Sequence, residues 1–340
     1  MSYQPRVVLV TGGAGFIGAH FVRFLLASDP TLVVINLDAL TYASDPALLQ
    51  DLPASRHVFV QGDITDTALV LGLLREHAVD GVVHLAAESH VDRSISGPAA
   101  FLHTNIQGTA SLLEAVRQVW IGEQGLSLPQ LQQDRRFLQV STDEVFGDLA
   151  PAAPAFREQD PYAPSSPYAA SKAAGDHLLR AWARTYGLPV LLTRCSNNYG
   201  TGQHAEKFLP TIIRQALAGA PIPVYGDGLQ SRDWLHVQDH CRALDVVLRQ
   251  ALPGSDWNVG GRNELSNLVF LQQVCAVLDV LRPQGAPHER LLQHVADRPG
   301  HDRRYAMDPG RLESRLGWRP QQDFARGLQE TVAWYLQRAC

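Results

Sequence analysis

The chain has 340 residues, a formal net charge of −5, 45% hydrophobic and 19% charged residues. This is the balance of a globular enzyme with room for two domains, or for one α/β unit carrying a substrate lobe. A mildly acidic chain has no basic footprint, so nucleic acid is not expected as its partner, and an anionic small ligand would need local arginines.

In chain order, RVVLVT (residues 6–11) reads as a short β-branched strand that stops at the glycines of GGAGFIGAHFVRFLLAS, where the apolar spacing becomes helical. LVVINLDAL is a second strand ending near Asp38, HVFVQGDITD a third ending near Asp63, and ALVLGLLREH the helix that follows. GVVHLAAES, RRFLQVSTDE and LPVLLTRCSN supply further strands with helical stretches between them. Strands apolar on both faces that alternate with helices predict an α/β fold, a doubly wound parallel sheet of Rossmann type. Residues 120–135, with Gly, Pro and a Gln run, read as a surface insertion. Beyond residue 195 the Gly-, Asn- and Pro-rich loops NNYGTGQHAEKF and PIPVYGDGLQSRDW point to a smaller ligand-binding lobe. The expected division is a dinucleotide-binding domain over 1–194, with a return segment near 234–258, and a mainly substrate-binding domain over 195–340.

Cys195, Cys241, Cys275 and Cys340 form no C-x-x-C pair, so neither a metal site nor a disulfide framework is indicated. No apolar run reaches the ~18 residues of a membrane span, and MSYQPRVVLV carries no signal pattern, so a cytoplasmic protein is expected.

Gly12, Gly15 and Gly18 recur as G-x-x-G-x-x-G directly after a strand and at the opening of a helix. Gly12 would permit a tight turn, Gly15 would let backbone N–H groups approach a pyrophosphate, and Gly18 would let helix pack on sheet. Asp38 stands where a carboxylate accepts from the adenosine ribose hydroxyls and repels a 2′-phosphate, which favours NAD over NADP. Asp63, followed by Ile64, could reach the adenine amino group or serve a helix start.

Tyr168 and Lys172 form Y-x-x-x-K, one helical turn apart and so on one face. A phenol with a reference pKa of ~10 needs a nearby cation to act as a base near neutrality, and Lys172 could supply it. Ser141, Thr142, Asp143 and Glu144 end a strand at the edge where open α/β sheets bind ligands. Two adjacent carboxyls exceed what a simple dehydrogenase needs and suggest an acid and a base for additional proton chemistry.

Together the strings TGGAGFIG, LAAESHVDRSI, STDEVFGD, YAPSSPYAASKAAGDHL, CSNNYG, SRDWLHVQDH, WNVGG and ADRPGHDRRY resemble the extended short-chain dehydrogenase/reductase superfamily, and within it the dTDP-glucose 4,6-dehydratases. The Asp-Glu pair discriminates, since the superfamily's epimerases lack it. The resemblance implies Tyr168 as base at the sugar 4-hydroxyl with Lys172 as its partner, Thr142 bonded to the 4-oxygen, Asp143 as acid at the 6-hydroxyl and Glu144 as base at C5. It implies NAD held by the glycine segment (Gly12, Gly15, Phe16, Ile17, Gly18), Asp38, Asp63, Ile64, Leu85, Ala86, Ala87, Thr104, Tyr168, Lys172 and Asn198. Ser89, Thr142, Asn197, Lys207, Phe208, Pro223, Tyr225, Arg232, Asn267, Asp297, Arg298 and His301 would line the nucleotide-sugar site, with Arg232 and Arg298 at the diphosphate. Ala39 and Ser44 depart from the family's DKLTYAG, which removes a cation near the adenosine and implies looser NAD retention. Thr201, Ala205 and Phe208 depart in the loop before the substrate lobe. A homodimer is implied, built on the helix near 101–118 and the Tyr168 helix. Other readings are a UDP-glucose 4,6-dehydratase, a 4-epimerase, for which the acid pair has no use, and a catalytically silent NAD sensor, which would be expected to have lost one of these groups.

Overall fold

The computed structural model describes residues 3–338. Its centre is a seven-stranded sheet in the order Ser255–Val259, Val190–Cys195, Arg136–Thr142, Gly81–His84, Val7–Thr11, Val33–Asp38, His57–Gln61. Every pairing in it is parallel, as in Val8 against Val34 on one side and against Gly81 on the other. The chain first winds outward through the strands ending at Asp38 and Gln61, then returns to the other side of Val7–Thr11. The reversal leaves a crevice at the carboxyl ends of Val7–Thr11 and Gly81–His84, where such sheets take their ligands.

Helices cover both faces because the strands are apolar on both. On one face Phe21, Val22 and Leu25 of helix Phe16–Ser28 pack with Leu244, Val247 and Leu248 of helix Val237–Gln250. On the other face Val70, Leu74, Leu112, Leu113 and Leu179 form a second core. A third core, with Ile212, Phe270, Leu271 and Val332, belongs to the C-terminal lobe. That lobe holds helices Phe208–Leu217, Asn267–Leu281 and Phe324–Arg338, a three-stranded sheet (Glu264–Ser266, Ser231–His236, Asn197–Tyr199) and a parallel pair (Ile222–Tyr225, Leu292–Val295). The return to the large sheet runs through helix Val237–Gln250 and strand Ser255–Val259. Leu312 and Trp318 also join that sheet's core, from further along the chain than sequence indicated.

The segment expected as a surface insertion over 120–135 is largely exposed, at 122–125, 127–130 and 132–134, but it is anchored at two points. Helical backbone continues to Glu123, Trp120 is fully buried with Nε1 donating to Val79 O at 3.0 Å, and Leu131 of helix Leu128–Asp134 is buried as well. The polar composition of the segment hid two large apolar anchors whose burial decides its position. Cys195, Cys241 and Cys275 are free and buried, while Cys340 lies outside the described residues. Among the described residues no helix is long and apolar enough to cross a membrane.

Candidate active site

The strand Val7–Thr11 gives way to a turn at Gly12, whose φ of +71° strains any residue with a side chain. A Cβ on Gly12 would lie 2.6 Å from Ala86 N, and one on Gly18 would lie 2.1 Å from Gly12 O. Gly18 therefore packs on the turn itself rather than on the sheet, a correction to its expected role. Gly15 is different: a Cβ there would meet only Gly12 O, at 3.3 Å, while the position lines a cavity of about 500 Å³. Phe16, Ile17 and Gly18 carry first-turn N–H groups that the helix cannot satisfy itself, and all three line the same cavity. This end fits a pyrophosphate.

Asp38 is buried, and its carboxylate accepts from Ala14 N (2.9 Å), Leu40 N (2.8 Å) and Ser44 Oγ (2.7 Å). A carboxylate offers about four acceptor sites, so one remains for a ribose hydroxyl. Asp63 stands two residues past its strand and accepts from both N and Oγ1 of Thr65 at 2.8 Å, so it shapes the turn at the cavity wall. Ile64, Leu85, Ala86, Ala87, Thr104 and Asn198 all line the cavity. Thr104 sits in a π-type segment, Leu102–Gly108, whose Asn105 bonds Glu88 N (2.9 Å), Glu88 O (3.0 Å) and Ser171 Oγ (2.8 Å). Asn105 thereby ties the loop after Gly81–His84 to the Tyr168 helix. Asn198 is fixed by His240, whose Nδ1 lies 2.9 Å from Asn198 Oδ1; burial pushes this imidazole down to about 3, so it is neutral. Sequence reasoning missed both Asn105 and His240.

Tyr168 and Lys172 lie in helix Pro167–Tyr186, started by Pro167 and capped by the Ser166 hydroxyl on Ala169 N. Thr142 ends its strand, and its hydroxyl donates to Asp143 Oδ1 at 3.1 Å and accepts from Glu144 N at 3.3 Å. All five side chains line the cavity. Lys172 Nζ donates to Val140 O at 2.9 Å, and burial lowers its proton affinity. The Tyr168 phenol is held well above its ordinary value, first by burial and then by the charge of Glu144. The expected lowering by Lys172 is outweighed in the protein alone, because both groups are desolvated.

The two carboxyls are driven apart. Burial pushes Asp143 well above the carboxylate range and the charge of Glu144 pushes it further, and its Oδ2 is buried without a protein partner. Burial raises Glu144 too, but Arg298, Arg232 and Lys207 favour its anion. Divergent environments of this kind separate an acid from a base.

The far end of the cavity is lined by Ser89, Asn197, Lys207, Phe208, Pro223, Tyr225, Arg232, Asn267, Arg298 and His301. Lys207 Nζ donates to Ser89 O at 2.7 Å, and Arg298 reaches Asp92 at 3.2 Å while its Nε is buried without a partner. Arg232 donates to Ser231 O (2.7 Å) and Asp302 O (2.9 Å) and lies 4.3 Å over the Tyr305 ring. Tyr305, missed in the sequence, lines the cavity and bonds Asp302. Asp297 is corrected: it is exposed and does not itself line the cavity, but accepts from His301 Nδ1 at 2.6 Å and from Arg298 N at 2.9 Å.

Residues 9–331 match the family described as GDP-mannose 4,6 dehydratase. The dTDP-glucose 4,6-dehydratase of Xanthomonas campestris pv. campestris (strain B100) is 54% identical over 96% of this chain and 92% of its own length. That of Salmonella typhimurium is 48% identical over 97% and 92%. The crystal structure of DesIV (dTDP-glucose 4,6-dehydratase) from Streptomyces venezuelae, with NAD bound, superposes with a TM-score of 0.87 at 46% identity, covering 97% of both chains. With its glycine turn, its Tyr–Lys helix and its Asp–Glu strand end, the chain belongs to the GDP-mannose 4,6 dehydratase family and, within it, stands with the dTDP-glucose 4,6-dehydratases.

Proposed function

We propose that the protein dehydrates dTDP-glucose to dTDP-4-keto-6-deoxyglucose with NAD as resident cofactor. The observation that carries this is the unequal setting of Asp143 and Glu144, the first raised further than the second, beside Tyr168 and Lys172 in one cavity. NAD, when bound, supplies the acceptor that takes hydride from C4 and later gives it to C6, and a positive charge that opposes the upward shift of the phenol. Gly15 with the first turn of helix Phe16–Ser28 would hold its pyrophosphate, and Asp38 its adenosine ribose.

Tyr168 takes the 4-hydroxyl proton, with Thr142 bonded to the same oxygen. The resulting 4-ketone acidifies C5–H, and Glu144, whose anion three cations favour against the effect of burial, removes that proton. Asp143, protonated in its buried setting, donates to the departing 6-hydroxyl, which leaves as water. Glu144 then returns its proton to C5 as C6 is reduced. Arg232 and Arg298 face the diphosphate, where guanidinium groups offer paired donors. A 4-epimerase would have no use for the buried proton of Asp143. We further propose a cytoplasmic homodimer. Incubating the purified protein with dTDP-glucose and with UDP-glucose, and following the 4-keto product, tests both the reaction and the base; no 4-keto product from either would overturn the reading.

A further inference from the structure

We propose that Asp176 is a positioning residue for the proposed dehydration: the buried counter-charge that keeps the Lys172 ammonium cationic beside Tyr168. Asp176 lies one helical turn past Lys172 on the same helix and is completely buried. Its carboxylate accepts from Gln139 Nε2 (2.8 Å), Ser141 Oγ (2.9 Å) and Tyr162 OH (2.8 Å). The Tyr162 hydroxyl accepts from Arg194 Nε at 2.5 Å, so its own proton must point to Asp176. Burial raises the proton affinity of this carboxyl, while three donors converge on it with no acceptor opposite, an arrangement that favours the anion.

Two cations act on Asp176, first Arg194 and then Lys172. Arg194 is matched directly by Asp256 (2.7 Å), which also takes Arg180 (2.5 Å), while Arg194 approaches Asp176 no closer than 3.8 Å. Lys172 has one hydrogen-bond acceptor, the Val140 carbonyl, which carries no charge. The other titratable groups near it add less: burial pushes the His84 imidazole down to about 3, so it is neutral, and the Cys195 thiol, pushed up to about 12, opposes the burial of Lys172 less than Asp176 does. Burial drives Lys172 towards the neutral amine, and Asp176 is the foremost charge opposing it. Gln139 and Ser141 sit on the strand that ends in Thr142, so the strand that presents the acid pair also holds this counter-charge.

The test is the pH dependence of single-turnover NADH formation, which reports C4 oxidation alone and so the Tyr168–Lys172 pair. In Asp176→Asn the alkaline fall should move to lower pH by about one unit. Tyr162→Phe, which removes a bond to the carboxylate but keeps both charges, should lower Tm and leave the fall in place. An unmoved fall in Asp176→Asn, or an equal move in Tyr162→Phe, would overturn the proposal. Should Asp176→Asn not fold, carbon-13 NMR of lysine-labelled wild type, with the Lys172 signal assigned by its loss in Lys172→Met, reads the ammonium directly. It should be cationic through pH 8, and a neutral amine at pH 7 would overturn the assignment. Wild type that makes no 4-keto sugar would instead reject the dehydratase reading, leaving the Lys172 titration to decide this one.

Discussion

Glu144→Gln is expected to oxidise C4 and stall before elimination, because the base for C5 is a different side chain from the base for the 4-hydroxyl. Turnover should fall by ~10²–10⁴, with solvent deuterium at C5 falling in step; incorporation at the wild-type rate would reject Glu144 as the C5 base. Tyr168→Phe should instead abolish the single-turnover rise in NADH absorbance, since hydride cannot leave C4 while the 4-hydroxyl keeps its proton. The acid pair also sets the pH range of the elimination step. Burial raises Glu144, so its anion appears, and activity climbs, above the ordinary carboxylate range. Burial and Glu144 raise Asp143 further, so the proton it must donate is lost only as pH rises through that higher value. A bell is expected whose alkaline limb flattens in Asp143→Asn, measured on the residual elimination rate. A limb unchanged in that variant would assign it to another group.

At the scale of elements, much of the large sheet was legible because its strands are continuous Val/Ile/Leu runs broken by glycine turns, and the glycine motif is local in sequence. The site was legible where neighbours in sequence are neighbours in space, as in Thr142–Asp143–Glu144 and Tyr168–Lys172. It was opaque where long-range packing decides: Asn105 acts through Glu88 and Ser171, His240 through Asn198, and Tyr305 through Arg232, pairings that no spacing encodes. Trp120 was misread because a polar stretch surrounds it, yet its ring fills the core under helix Thr67–Glu76. Trp120→Ala should therefore cost roughly 3–5 kcal/mol, visible as a lower denaturant midpoint. A change within the usual surface range of about 0.5 kcal/mol would mean that the segment is a removable insertion after all. Gly18→Ala tests the turn: with Gly12 O in the way of the new Cβ, the pyrophosphate cradle must shift. NAD affinity by calorimetry should fall about tenfold or more, a loss of ~1.4 kcal/mol or greater.

For the whole molecule, the question is what covers the outer side of the two helices that flank the site. The helical stretch 98–123 packs beside helix Pro167–Tyr186. The dimer expectation rested partly on the small residues Ala169, Ala170, Ala173 and Ala174, and here the structure divides them. Ala169 and Ala173 are buried within their own chain, Ala173 against Val145 and Phe146, so they say nothing about a partner. Ala170 is exposed, Ala174 is partly so, and Leu102 and Tyr186 are 50% and 42% exposed on the same two helices. Leu178 and Trp182 pack only in part on their own core. A two-fold arrangement would bring these patches together as a four-helix bundle, since a symmetric interface uses the same surface on both subunits. Because helix Pro167–Tyr186 also carries Tyr168 and Lys172, pairing would stiffen the element that positions them. Sedimentation of the purified protein at micromolar concentration should give a species of twice the 37.3 kDa chain mass. Leu102→Glu with Tyr186→Glu should shift it to monomer and lower turnover; a fully active monomer would reject both the dimer and its link to the active site.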